Sequence, residues 1–366
     1  MLETLRRLTL GITLILLAAA TLLLTDLGSR KHENNQPGRT NSQPLRVALV
    51  QHSSMLAHED GAAGVIEALA KRGYEDGGRV RIKRFNAEAD PGTASAIAKQ
   101  VTTGDYDLLI TIGTPSLQYV AKANETGSRT KHVFGLVTDP YSSGAGIDPT
   151  DHSKHPPYLT GAGCMQPVAE AFQAAKKMLP SLRSVGLIWN PSESNSQAQT
   201  IVARKVCADL GINLVESTVD SSTNALEAAS ALTSRGVQAI WISGDITVAL
   251  AADAIITIAR RAGIPVFTSF PPLIKSGSLF DLGANYFEIG KTTGEIAADV
   301  LDGKSPADIP VENIAPNFLL FNETTLHGLH DPWQIPPDIR AEAVGWITAT
   351  ETKIPDSHSP TPTPAH

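Results

Sequence analysis

The residues best suited to contact a ligand lie in short polar loops. They are His52-Ser53-Ser54, Thr114-Pro115-Ser116, Thr138-Asp139-Pro140, Asn190-Pro191-Ser192, Gly244-Asp245 and Ser269. Hydroxyls and amides both give and take hydrogen bonds without carrying charge. Set beside helix N-termini, whose N–H groups are free, they suit a small polar or anionic ligand. Capping is an alternative role, since Asn190, Ser192, Thr114 and Asp245 can satisfy the N–H groups of the next helix. Asp139 and Asp245 are the carboxylates of the set. Each fits a ligand ammonium group, a helix cap or a hinge. Phe270 and Tyr286 suit a lid or stacking surface, whereas Trp189 and Trp241 fall inside strands and read as core.

Other chemistries find little support. No G-x-G-x-x-G follows the first strand, and there is no Walker motif and no G-x-S-x-G elbow. No nucleophile–base pair stands out, so no catalytic residue, cofactor or enzymatic activity is expected. His152 with His155, and His327 with His330, have spacings that metals use, but in polar loops they read as solvated side chains. Cys164 and Cys207 lack metal-ligand spacing and read as buried free thiols, with a single disulfide as the alternative.

The loops are spaced by alternating elements. Short apolar runs at 45–51, 80–85, 107–112, 133–137, 184–189, 212–217, 239–243 and 265–268 predict strands of a parallel sheet covered on both faces. Helices are predicted at 61–72, 93–102, 116–124, 167–178, 194–210, 224–234, 246–261 and 287–301. This alternation defines an α/β fold with open, doubly wound sheets. The order of elements runs twice, which predicts two similar Rossmann-like lobes. Ligands of such sheets bind beyond the carboxyl ends of the strands, where the polar loops sit.

The 366 residues are ample for two cores, and 42% hydrophobic with 18% charged residues is ordinary globular composition. A net charge of -7 argues against a nucleic-acid partner. Arg6 and Arg7 precede an uncharged apolar run at 8–24, about 17 residues long. That reads as an export signal, either a cleaved peptide or an uncleaved anchor in the inner membrane. Positive residues before the run place the remainder outside the cytoplasm, in the periplasm or its equivalent. No cysteine follows the run to carry a lipid. Residues 28–44 read as a flexible linker and 351–366 as a disordered tail.

One resemblance draws these features together. The runs Ile112-Gly-Thr-Pro-Ser116, Val137-Thr-Asp-Pro140, Val185-Gly-Leu-Ile-Trp-Asn-Pro-Ser-Glu-Ser-Asn-Ser196 and Gly244-Asp-Ile-Thr-Val248 occur in family order. So do Tyr286-Phe-Glu-Ile-Gly290 and Gly303-Lys-Ser-Pro-Ala-Asp-Ile-Pro310. Together they resemble ABC-transporter substrate-binding proteins of the tryptophan/tyrosine-binding type, over roughly 45–345. The resemblance implies a type I periplasmic binding protein fold, with lobe 1 at about 45–160 and 286–350, its C-terminal part able to contact both lobes, lobe 2 at about 161–285, and hinge crossings near 158–164 and 285–290. It implies a cleft for an amino acid or similar small acid, delivered to an ABC permease. The loop from Asn190 through Asn195 and Ser196 would hold a carboxylate, with Thr114 and Ser116 approaching from the other lobe. Asp245 would face an amino group. A membrane-anchored sensor that feeds no transporter is the alternative function.

Overall fold

The structure is a computed structural model that describes residues 43–270, 272–314 and 316–355. The apolar run at 8–24 and nearly all of the linker lie outside the described residues. No helix among the described residues is long and apolar enough to cross a membrane.

The first lobe opens with β1 (Leu45–Gln51), α1 (Leu56–Lys71), β2 (Val80–Asn86), α2 (Pro91–Thr103), β3 (Leu108–Ile112), α3 (Thr114–Thr126), β4 (His132–Val137) and β5 (Leu159–Gly163). All residues of β3 and β4 are buried. That is why these runs are continuously apolar rather than alternating. The chain then passes to a second lobe. This contains α4 (Val168–Met178), β6 (Ser184–Trp189), α5 (Ser194–Leu210), β7 (Asn213–Thr218), α6 (Ser222–Ser234), β8 (Ala239–Ile242), α7 (Ile246–Ala249), α8 (Ala252–Arg261), β9 (Val266–Thr268) and β10 (Phe280–Ala284). It returns to the first lobe for α9 (Tyr286–Leu301) and β11 (Glu312–Asn313). It ends in the second with β12 (Asn317–Asn322), α10 (Pro337–Glu342), β13 (Gly345–Ile347) and β14 (Thr352–Lys353).

The first sheet has the order β11-β5-β4-β3-β1-β2 and is parallel throughout. The second runs β14-β13-β12-β10-β9-β8-β6-β7, with antiparallel pairing at β10–β12 and β13–β14. Each sheet is covered on both faces. Val47, Leu49 and Ile110 pack with Val65 and Ile289 on one side of the first, and Val50, Leu109 and Val101 on the other. In the second, Phe172, Trp241, Phe267 and Phe280 form one core and Ile188, Ile240 and Ile255 the other.

The fold is the expected α/β architecture of two lobes with parallel sheets, and the eight anticipated strands appear within one residue at each end. The chain is divided differently, however. Residues 317–353 join the second sheet, so 286–350 does not remain in lobe 1. The cause is antiparallel pairing of β12 with β10, which brings Phe321 opposite Phe280 and buries both. Lobe 1 also extends past 160, because β5 pairs with β4. The connection therefore crosses three times, at 164–167, 284–286 and 314–317. Residues 352–353 are not tail: they pair with Trp346 and Ile347. The helix expected at 246–261 is broken into α7 and α8.

Helices α1 and α9 pack at unusually close range. A Cβ on Gly64 would lie 2.2 Å from the Phe287 carbonyl oxygen, and one on Gly290 would lie 2.2 Å from that of Gly61. Only glycine permits this approach, which sets where Ala57, His58 and Tyr286 meet the cleft.

Candidate functional site

The two lobes meet over a small cavity. Lobe 1 contributes Ala57, His58, Gly113, Thr114, Leu136, Thr138 and Tyr286 to its lining. The first crossing contributes Gln166, and lobe 2 contributes Asn195, Gly244, Ile246 and Phe270. Its volume is about 20 Å³, roughly the space of one water. The lobes are thus closed, and a larger ligand requires them to part.

Several lining groups are locked by hydrogen bonds. Thr114 stands at the start of α3, and its Oγ1 accepts from the Thr138 N–H at 3.3 Å. Gly113 precedes it with φ +90°, a conformation for which glycine is suited. A Cβ there would come within 2.8 Å of His58 Nε2. His58 Nδ1 is 2.8 Å from Ser53 Oγ. Burial lowers the His58 pKa to about 4, so the ring is neutral at ordinary pH. A relay of amides joins the lobes. The Gly244 N–H donates to Gln199 Oε1 (2.8 Å), Gln199 Nε2 donates to Gln166 Oε1, and Gln166 Nε2 donates to Tyr286 Oη (3.1 Å).

Of the residues singled out from sequence, Thr114, Thr138, Asn195 and Gly244 line the cavity, as do the aromatic candidates Phe270 and Tyr286. The others lie beside it or away from it. Ser53 orients His58. Ser54 donates to Glu88 at 3.0 Å. Pro115 and Ser116 belong to the first turn of α3. Asp139 accepts from the N–H groups of Tyr141 and Ser142 and from the Ser142 hydroxyl, so it organises its own turn. Asn190 Oδ1 accepts from the Ser192 N–H, and its Nδ2 donates to Thr247 Oγ1. Ser269 Oγ accepts from the indole N–H of Trp241, which is fully buried core as expected.

Asp245 is fully buried in lobe 2 and absent from the cavity lining. One oxygen accepts from the Val248 N–H; the other accepts from the Asn190 N–H and the Ser196 hydroxyl. Its carboxylate caps α7 and ties the loop at 190–196 to it. Burial, and then the charge of Glu193, push its pKa up to about 7. Glu193, passed over in the sequence, completes this unit by accepting from the Ile246 and Thr247 N–H groups. His58, Gln166 and Gln199 were also missed. Gln199 sits within the helix expected at 194–210, and Gln166 lies between the expected crossing and the helix expected at 167–178. His58 falls in the loop expected after the first strand, and it is part of α1 because that helix starts at Leu56 rather than at 61.

A closable cleft between two α/β lobes, joined by three crossings, defines a protein that encloses a small solute. The chain belongs to the ABC transporter substrate binding protein family, whose model matches residues 46–339. It is 27% identical over 305 residues to a tyrosine-binding protein of Clostridioides difficile, covering 83% of this chain and 86% of that one. An ABC domain from Streptococcus pneumonia in complex with L-Trp superposes with TM-score 0.76 at 24% identity, over 84% of this chain and 100% of that one. The ligand-free, open structure of a substrate-binding protein from Clostridium difficile gives TM-score 0.63 at 25% identity, over 83% and 99%.

Proposed function

We propose that this protein is an extracytoplasmic receptor that closes over an amino acid or related small acid and delivers it to an ABC permease. The observation that carries this reading is the cavity, lined by both polar and apolar groups, trapped between two lobes on a three-strand hinge. Hinge closure around a solute is the way such two-lobed folds hold a ligand. The tyrosine-binding relative supports the ligand class. Thr114, Thr138 and Asn195 would contact the solute, with Ser53, Asn190, Ser192, Ser196, Asp245 and Ser269 shaping the walls. Residues 8–24 would serve export or hold the chain at the membrane.

Thermal unfolding of the full chain with a panel of amino acids tests the proposal. A ligand that binds only the folded form raises the midpoint with concentration, by about 2.7 kcal/mol of stability at a hundredfold excess over Kd. Aromatic amino acids are expected to give this shift. A folded protein whose midpoint ignores every amino acid and small acid would refute it.

A further inference from the structure

Asn195 is 4% exposed and lines the cavity. Its Nδ2 donates to the Gly244 carbonyl at 2.7 Å and to Glu193 Oε2 at 3.1 Å. Both partners can only accept, so the amide cannot be turned around, and both of its N–H bonds are spent. Its Oδ1 is buried and has no hydrogen-bond partner among the described residues. A buried acceptor left this way is costly, and a donor brought by a ligand would relieve it.

The lobe 1 wall has the opposite polarity. Thr114 Oγ1 already accepts from the Thr138 N–H, and Tyr286 Oη already accepts from Gln166 Nε2. The amide relay fixes that direction, because it starts from a backbone N–H that can only donate. The hydroxyl hydrogens of Thr114 and Tyr286 are then available to an acceptor. Among the described residues, no carboxylate, lysine or arginine lines the cavity.

We propose that Asn195 Oδ1 receives the amino group of the solute while the Thr114 and Tyr286 hydroxyls donate to its carboxylate. The solute is then a zwitterionic amino acid held by neutral groups, its amine against lobe 2 and its carboxylate against lobe 1. This assignment rests on the amino-acid reading above and reverses the polarity that the family resemblance implied. There, the loop at 190–196 took the carboxylate and Asp245 the amine. Asp245 is unsuited to that role because its oxygens serve its own lobe.

The test is titration calorimetry on the full chain with L-tyrosine and L-tryptophan, each paired with its des-amino acid. The amine-free partner should bind at least about tenfold more weakly, since it leaves Asn195 Oδ1 unanswered. Asn195→Ala should weaken the parent amino acids and shrink that gap, with a thermal scan to show that the variant folds. If it does not fold, the paired ligands on the unaltered protein still decide. Equal binding of an amino acid and its des-amino acid overturns the assignment while leaving the receptor reading intact. Binding of D-ribose or D-glucose in place of every amino acid overturns it too, with solute binding intact. Binding of no solute at all overturns both.

Discussion

The two lobes share an architecture but differ in the buried groups whose protonation below neutral pH burial shifts most: histidines in lobe 1 and aspartates in lobe 2. Lobe 1 encloses His58 and His132, whose pKa values burial lowers to about 4 and about 3. Lobe 2 encloses Asp245 and Asp281, both raised to about 7. For Asp281 the cause is burial, opposed by the Ser278 hydroxyl, which donates to one oxygen, and by the nearby backbone N–H groups of Ile274 and Leu273. In all four, desolvation favours the uncharged form. The consequences for stability have opposite signs. Between about pH 4 and 6.5 the unfolded chain binds protons on the histidines that the folded chain does not, so their contribution to stability rises with pH. Between about pH 4 and 7 the folded chain holds protons on the two acids that the unfolded chain has lost, so theirs falls. Similar sheets can therefore impose opposite pH responses on the two halves of one hinge.

The largest effect is expected where lobe 1 has no room to yield. Gly290→Ala would drive a methyl group into the backbone of Gly61, and the helix pair must separate to accept it. A loss of about 3 kcal/mol is expected from denaturant unfolding. A loss below about 1 kcal/mol would show that the α1–α9 pair is not rigid.

Next comes the corresponding support in lobe 2, which is polar. Asp245→Ala strips an acceptor from the N–H groups of Asn190 and Val248 and from the Ser196 hydroxyl. About 2 kcal/mol should be lost at pH 7, with Asp245→Asn costing less because one acceptor oxygen remains. Equal losses for the two variants would mean that the capping bonds matter little.

The smallest effect tests the pH comparison itself. Asp281→Asn removes a contribution that falls with pH, so stability should climb more steeply from pH 4 to 7 than in the unaltered chain. Replacing His132 with Gln should do the reverse between about pH 4 and 6.5. Unfolding midpoints measured across that range check both, and curves parallel to the parent would defeat the comparison.

The strands of both lobes were legible because buried parallel strands must be apolar along their whole length. Runs such as 108–112 and 239–242 can be little else. The strands that escaped notice lie near the hinge and at the end of the chain. Leu159-Thr-Gly-Ala-Gly163 and Phe280-Asp-Leu-Gly-Ala284 contain glycine or aspartate, which weaken a strand pattern. At Gly161 a Cβ would lie 2.2 Å from the Phe134 carbonyl oxygen, so close packing of β5 on β4 explains the glycine. The site was legible in part. Thr114, Thr138 and Asn195 were found because they stand at strand ends and helix starts. His58 was not, because α1 begins at Leu56, before its apolar pattern does, and Gln199 acts from inside α5 only through Gly244 and Gln166.

The sequence by itself determined the alternation of elements, the two-lobed plan and the polar loops, since hydrophobic period and turn chemistry are local properties. Tertiary structure decided which polar groups are spent and which remain open. Whether Asp245 faces a ligand or caps a helix depends on the Asn190, Ser196 and Val248 donors around it, two of them about fifty residues away in the chain. The same holds for Asn195, whose single open oxygen is defined by Gly244 and Glu193. Hydrogen-bond capacity is written in residue types, but its use is settled only when distant segments are brought within about 3 Å.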